Sequence, residues 1–258
     1  MKEYFKDKVA VVTGGGGGIG RAVCIKLADL GTRVVVVDLS TEIGSQTAEL
    51  IKQAGGEARF VKADVTKADE VERYVKQTIA AYGRIDIFVN NAAWEGAVQP
   101  IVDLSVETFD QVIAINLRGA FLGLKYVLPV MLEQQSGAVI NMSSVGGFVG
   151  SRGYAAYDSS KHALIGLNKV AALEVANHGI RVNAVCPGAV NTRMMRSLEE
   201  QNAPGAGEQY KKSKMAVIPD GRYAEPEEVA NLVIYFASDL SSHITGQSLM
   251  INGGQIMR

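Results

Sequence analysis

Short β-branched runs alternate with amphipathic stretches along almost the whole chain, and few folds accept that rhythm. Val9–Thr13, Arg33–Asp38, Ala58–Lys62, Ile85–Asn90, Ala138–Ser143, Arg181–Cys186 and Ser248–Ile251 read as buried strands. Between them, Ile19, Val23, Leu27 and Leu30 fall at helical spacing, with Gly31 placed to stop the helix. Thr66 and Asp69 have the spacing of a capping box ahead of Val71, Val75 and Ile79. Ser105 to Gln134 is long enough for two helices or one bent one. Strands that are apolar throughout need cover on both faces. The pattern therefore predicts an α/β fold, a doubly wound parallel sheet with helices on either side. No repeat, low-complexity tract or Pro/Gly linker divides the 258 residues, which predicts a single domain over 1–258. Asn191–Asp220, rich in Lys, Gln, Gly and Met, lacks periodicity and reads as an irregular segment, either disordered or a lid over a site.

Charge and cysteine content narrow the function classes. With 26 Lys+Arg against 27 Asp+Glu, the net charge of −1 offers no basic field for nucleic acid or anionic lipid. A composition of 47% hydrophobic and 21% charged residues excludes disorder. Uninterrupted apolar runs such as Val34–Val37 fall far short of the ~18 residues of a spanning helix. The first eight residues are too polar for a signal peptide. Cys24 and Cys186 form no CxxC and have no His nearby in sequence, so neither a disulfide framework nor a metal site is expected. The expectation is a reduced, cytoplasmic protein.

Thr13-Gly14-Gly15-Gly16-Gly17-Gly18-Ile19-Gly20 joins the first strand to the first long helix. Glycine there permits positive φ and lets backbone N–H groups approach a pyrophosphate without Cβ interference. The helix N-terminus adds partial positive charge for the anion. A merely flexible loop is the plainer alternative, but the position at a strand–helix junction is where a dinucleotide loop belongs. Asp38 ends the second strand about twenty residues on, where a carboxylate accepts bonds from adenosine ribose hydroxyls. It would repel a 2′-phosphate, and Leu39 offers no cation in compensation, so the reading is NAD rather than NADP.

Tyr157 and Lys161 are four apart in a helical stretch, Tyr154 to Asn177, and share a face. A free tyrosine has a pKa of about 10, too high for a base near neutrality, and an adjacent ammonium would favour the phenolate. Ser144, thirteen residues earlier and just past the fifth strand, is placed to bond a substrate oxygen.

Together these motifs resemble the short-chain dehydrogenase/reductase family, and the resemblance covers essentially the whole chain. Thr13-Gly14-x-x-x-Gly18-Ile19-Gly20 resembles its cofactor loop, and Asp64-Val65 the pair that contacts adenine. Asn90-Asn91-Ala92-Ala93 resembles its Asn-Asn-Ala-Gly segment, with Ala93 where glycine is usual. Tyr157-x-x-x-Lys161, Ser144 and Asn116 resemble the catalytic set. Pro187-Gly188, then Val190 and Thr192, resembles the segment that cradles the nicotinamide carboxamide. The resemblance implies a Rossmann fold with a seven-stranded parallel sheet, an NAD cofactor contacted by Gly14, Gly17, Gly18, Ile19, Gly20, Asp38, Asp64, Val65, Asn91, Ala92, Tyr157, Lys161, Pro187, Gly188, Val190 and Thr192, and a homotetramer. It implies that Tyr157 donates or removes the hydroxyl proton and that Lys161 lowers its pKa and binds the nicotinamide ribose. Ser144 would polarise the carbonyl, and Asn116 would support a proton relay.

Trp94, Glu95, Val145, Tyr154, Met194 and Met195 stand where the family builds its substrate pocket. Their apolar and aromatic character suits a neutral, fairly bulky alcohol or ketone, and Glu95 would discourage a carboxylate. The segments around Trp94, Asn116 and Lys161-His162 are similar to those of family members acting on cyclic secondary alcohols. Two other readings stay open: a reductase of 3-oxoacyl thioesters, and an NAD(H)-sensing or scaffold protein without turnover. Among neighbours of the motif, Asp158 reads as an exposed or interface charge, because it points about 100° around the helix from Tyr157. Tyr154 is a rival to Tyr157 that lacks the lysine four residues on. Ser143 should face away from Ser144, and His162 reads as packing or a subunit contact.

Overall fold

A computed structural model describes residues 2–257. Its centre is a sheet of seven parallel strands in the order β3-β2-β1-β4-β5-β6-β7. The strands are β1 (Val9–Thr13), β2 (Arg33–Asp38), β3 (Ala58–Lys62), β4 (Ile87–Asn90), β5 (Gly137–Met142), β6 (Ile180–Pro187) and β7 (Ser248–Ile251). Four match their sequence boundaries. β4 starts two residues late because the Ile85 backbone is captured by a side chain: Gln134 accepts from its N–H and donates to its carbonyl.

Helices α1 (Lys2–Phe5), α2 (Gly18–Asp29), α3 (Thr41–Gln53), α4 (Ala68–Tyr82), α5 (Val106–Ile113), α6 (Gly119–Gln134), α7 (Ala155–Val175), α8 (Arg193–Asn202), α9 (Gly207–Ala216) and α10 (Pro226–Ala237) flank it. Successive strand residues point to opposite faces. Ala10, Val12, Val34, Val36, Val89 and Ile140 pack on one side with Val23 and Leu27 of α2 and Val233 and Phe236 of α10. Val11, Val35, Val37, Phe88, Val139 and Val182 pack on the other with Val75 of α4, Val127 and Met131 of α6, and Val175 of α7. The doubly wound expectation is met.

Three local expectations are corrected. The Thr66/Asp69 capping box does not form; α4 begins after Lys67, and Thr66 instead donates to Asp64 Oδ1 through both its N–H and its hydroxyl. The stretch 191–220 is not irregular but carries α8 and α9. Glu199 is the one buried residue of α8, and α9 buries none, so no apolar period marks either helix. Third, Val106–Gln134 runs as 29 helical residues, apolar enough by length and composition to cross a membrane, which uninterrupted runs did not reveal. It is a core helix in this fold, its Leu122, Leu124, Val127 and Met131 packed under the sheet.

The chain steps outward from β1 to β3, then crosses back to β4 on the other side of β1. That reversal opens a crevice at the carboxyl ends of the strands, where ligands bind in open α/β sheets.

Candidate active site

The glycine loop sits at that crevice. Gly14 and Gly18 have φ of +62° and +50°, the left-handed region that side chains avoid. A Cβ at Gly20 would stand 2.1 Å from the Gly14 carbonyl oxygen, and one at Gly16 would stand 2.7 Å from Asp38 Oδ2. At Gly17, the residue before α2, a Cβ would meet only Ile43, at 4.0 Å, so that face is open to a ligand. Ile19 is packed against the core below.

Side chains of Asn91, Thr13 and Asp38, together with Arg21 and Thr47, which the sequence reading did not single out, hold the loop in shape. Asn91 Nδ2 donates to the Thr13 and Gly14 carbonyls at 3.0 and 3.1 Å, while the N–H groups of Asn91 and Ala92 donate to Thr13 Oγ1. Arg21 donates to the Gly16 carbonyl and to Thr47 Oγ1. Asp38 accepts from the N–H groups of Gly16 and Ser40, both at 2.9 Å. Its carboxylate therefore borders the loop with lone pairs left for further donors. Asp64 takes both Thr66 donors, and Val65 packs on Gly119. Across the crevice, Pro187 ends β6, Gly188 donates to the Ile251 carbonyl, and Val190 bridges to Ala224. Thr192 caps α8, and its methyl would lie 3.3 Å from a Cβ on Gly18. Gly14, Gly16, Gly18 and Asp38 meet at the ends of β1 and β2, and Thr192 approaches Gly18 from across the crevice. They fit a dinucleotide: a tight glycine turn, an open helix N-terminus and an acidic side chain at the end of β2.

Ser144 follows β5, and its Oγ accepts from the Gly146 N–H at 3.1 Å. Its hydroxyl faces the Tyr157 phenol closely enough to pull the phenol's pKa down. Burial outweighs that pull, and Asp158, Glu95 and Tyr154 add to it, so Tyr157 is pushed up to about 12. Lys161 is fully buried, and burial lowers its pKa to about 8, opposed by the neighbouring Cys186. Its Nζ donates to the Met142 carbonyl at 2.8 Å and lies 5.5 Å from the Tyr157 ring centroid. Lys161 thus stands beside the ring with its ammonium bonded to a main-chain carbonyl, and burial is the dominant influence on the Tyr157 phenol.

The Asn116 amide is engaged at both ends. Oδ1 accepts from the Trp94 N–H at 2.8 Å, and Nδ2 donates to the Trp94 carbonyl and Ser160 Oγ. Ser160 in turn donates to the Tyr157 carbonyl at 2.7 Å. Asn116 lies in a π-turn, Ala114–Arg118, between α5 and α6, a local widening that often marks functional positions. Glu95 is buried with one carboxylate oxygen unpartnered. Tyr154 is half-buried; its hydroxyl accepts from Asn202 Nδ2 at 2.7 Å and faces Tyr210, tying α7 to α8 and α9. Trp94, Val145, Met194 and Met195 are partly exposed. Ser143 donates to the Lys161 carbonyl, away from the Ser144 side, as its strand position implied. His162 is exposed with Nδ1 against the Asp158 carbonyl oxygen. Asp158 is not exposed; at 7% accessibility it is buried against the Ser144 turn. The helical wheel misplaced it because the 148–153 segment folds over that face of α7.

The profile of the enoyl-(acyl carrier protein) reductase family matches residues 14–255. This chain belongs to the short-chain dehydrogenase/reductase family. Levodione reductase of Leifsonia aquatica is 40% identical over 257 residues, 97% of this chain and 95% of the relative. A crystal structure of levodione reductase superposes with a TM-score of 0.95 at 38% identity, covering 97% of this chain and 98% of the other. A 2,5-dichloro-2,5-cyclohexadiene-1,4-diol dehydrogenase of Sphingobium indicum is 39% identical over 248 residues, 96% of each chain. NAD+-bound xylitol dehydrogenase superposes with a TM-score of 0.92 at 34% identity, over 97% of this chain and 99% of that one. The protein is thus an oxidoreductase of this family, built to use a nicotinamide cofactor.

Proposed function

We propose that the protein transfers a hydride between NAD(H) and a neutral, cyclic secondary alcohol or ketone, with Tyr157 as the general acid and base. The observation that carries this is the meeting of the Ser144 hydroxyl and the Tyr157 phenol past the carboxyl end of β5, on the same edge of the sheet as the glycine loop after β1. Bound nicotinamide supplies or accepts the hydride. Ser144 donates to the substrate oxygen and orients it, and the Tyr157 hydroxyl delivers a proton to that oxygen in reduction or withdraws it in oxidation. Lys161 would hold the nicotinamide ribose, and its ammonium beside the Tyr157 ring would favour the phenolate needed for oxidation.

Asp38 supports NAD over NADP, since a 2′-phosphate would meet a carboxylate already turned to the loop. The cyclic substrate class rests on the names of the relatives and on the part-apolar surround of Trp94, Val145, Met194 and Met195. Glu95 adds one buried acceptor, which favours a substrate bearing a further hydroxyl and disfavours a carboxylate. The stretch 191–220 acts as the lid, and the working form is a cytoplasmic homotetramer; exposed Val106, Phe109, Phe121, Val170 and Leu173 on α5–α7 supply apolar surface for assembly.

The test is NADH oxidation against a panel of cyclic ketones, linear ketones and 3-oxoacyl thioesters, with the reverse reaction on the matching alcohols. Turnover highest on cyclic ketones is expected. Turnover on thioesters alone would replace this reading with thioester reduction, and NADH binding without any oxidation would make the protein a sensor.

A further inference from the structure

Asp158 directly follows the acid–base tyrosine and takes no part in the reaction described above. Its carboxylate is buried, and three contacts fix it. Oδ2 accepts from the Ser151 N–H at 2.6 Å, and the Ser151 hydroxyl faces the same group. Oδ1 rests on Gly146, where a Cβ would come within 2.4 Å of it. The Gly146 N–H is the donor that holds Ser144 Oγ. Asp158 also donates its own N–H to the Tyr154 carbonyl at 2.8 Å, within the first turn of α7. One carboxylate thus grips the 144–151 segment near both ends and seats it on the catalytic helix.

Burying a carboxylate costs free energy unless it is hydrogen-bonded, and here the bonds come from the Ser144–Ser151 segment. Asp158 faces Ser151 and Gly146 from the segment after β5, and His162, Tyr154 and Tyr157 from its own helix. Tyr157 faces Ser144 from that same segment, Glu95 from the segment after β4, and Tyr154, Asp158 and Lys161 from its own helix. Of the negative groups acting on the phenol, Asp158 acts most strongly.

We infer that Asp158 is a positioning residue: it docks the Ser144–Ser151 segment on α7 so that the Ser144 and Tyr157 hydroxyls meet one substrate oxygen. This rests on Tyr157 being the acid–base group, which Tyr157→Phe tests separately; full turnover in that variant removes the reading of Tyr157 whatever Asp158 does.

Asp158→Asn keeps an acceptor for the Ser151 N–H and loses the charge. Its maximal turnover should stay within about threefold of the native enzyme, the span of context effects on one retained hydrogen bond. Asp158→Ala loses the acceptor as well: kcat/KM for ketone should fall about tenfold or more, while NADH affinity measured by fluorescence holds within about twofold. If Asp158→Ala fails to fold, Ser151→Pro removes the same hydrogen bond from the other side and takes its place. Native kcat/KM in the variant lacking the hydrogen bond overturns the docking role.

Discussion

Lys161 directs its ammonium at the carbonyl oxygen of Met142, 2.8 Å away, rather than at the Tyr157 hydroxyl. The lysine spans from α7 to the end of β5, and the catalytic helix is thereby pinned to the strand that leads to Ser144. The position of the lysine is fixed by main chain.

Replacing Tyr157 with Phe removes one hydroxyl and almost no volume, so the fold should persist. Positioned acid–base help is worth ~10²–10⁴-fold, and steady-state turnover should fall by that much with NADH affinity little changed. Lys161→Ala should weaken NADH binding as well. Tyr154→Phe should keep kcat; loss of activity there with survival of Tyr157→Phe would exchange the two tyrosines.

Burial lowers the Lys161 pKa from its ordinary 10.5 to about 8. Between pH 8 and 10.5 the unfolded chain therefore holds the proton more than the folded one, so stability rises with pH in that window. Below pH 8 the lysine is charged in both states, and its contribution is flat. Relative to Lys161→Met, the native protein should gain about 1–2 kcal/mol between pH 7.5 and 9.5, measured by urea unfolding at each pH. A constant difference between the two proteins would show that the lysine is not desolvated.

Asp38 should set cofactor choice. We expect at least about tenfold higher kcat/KM with NAD(H) than with NADP(H), a difference of ~1.4 kcal/mol. Asp38→Ala combined with Leu39→Arg should narrow or reverse it. Because Asp38 also accepts from the Gly16 N–H, that variant should lose a little stability in thermal melts.

The Tyr154 hydroxyl links α7 to Asn202 and Tyr210. Tyr154→Phe should loosen α8 and α9, seen as faster limited proteolysis within 191–220 and a higher KM at unchanged kcat. NADH with a ketone should protect the same stretch in the native protein. Equal cleavage with and without ligands would argue against closure.

Much of the chemistry was legible from linear pattern. The glycine loop, Asp38, Ser144, Tyr157 and Lys161 are spaced by local rules, and the structure gathers them at one crevice. What escaped had no local signature. Helices α8 and α9 bury too little apolar surface to show a period, and Glu199, the buried residue of α8, is charged. Asp158 reads as surface on a helical wheel because the wheel sees only its own helix.

The sequence by itself determined the alternation of strands and helices, the doubly wound class and the loop that accepts a dinucleotide, since each depends on residues within a turn or a strand of one another. Only the tertiary structure decided where Lys161 points, that Thr13 and Asn91 shape the glycine loop, that Tyr154 ties α7 to α8 and α9, and that Asp158 is buried. Those outcomes depend on contacts between segments far apart in the chain, and burial is a property of the neighbours a residue meets rather than of the residue.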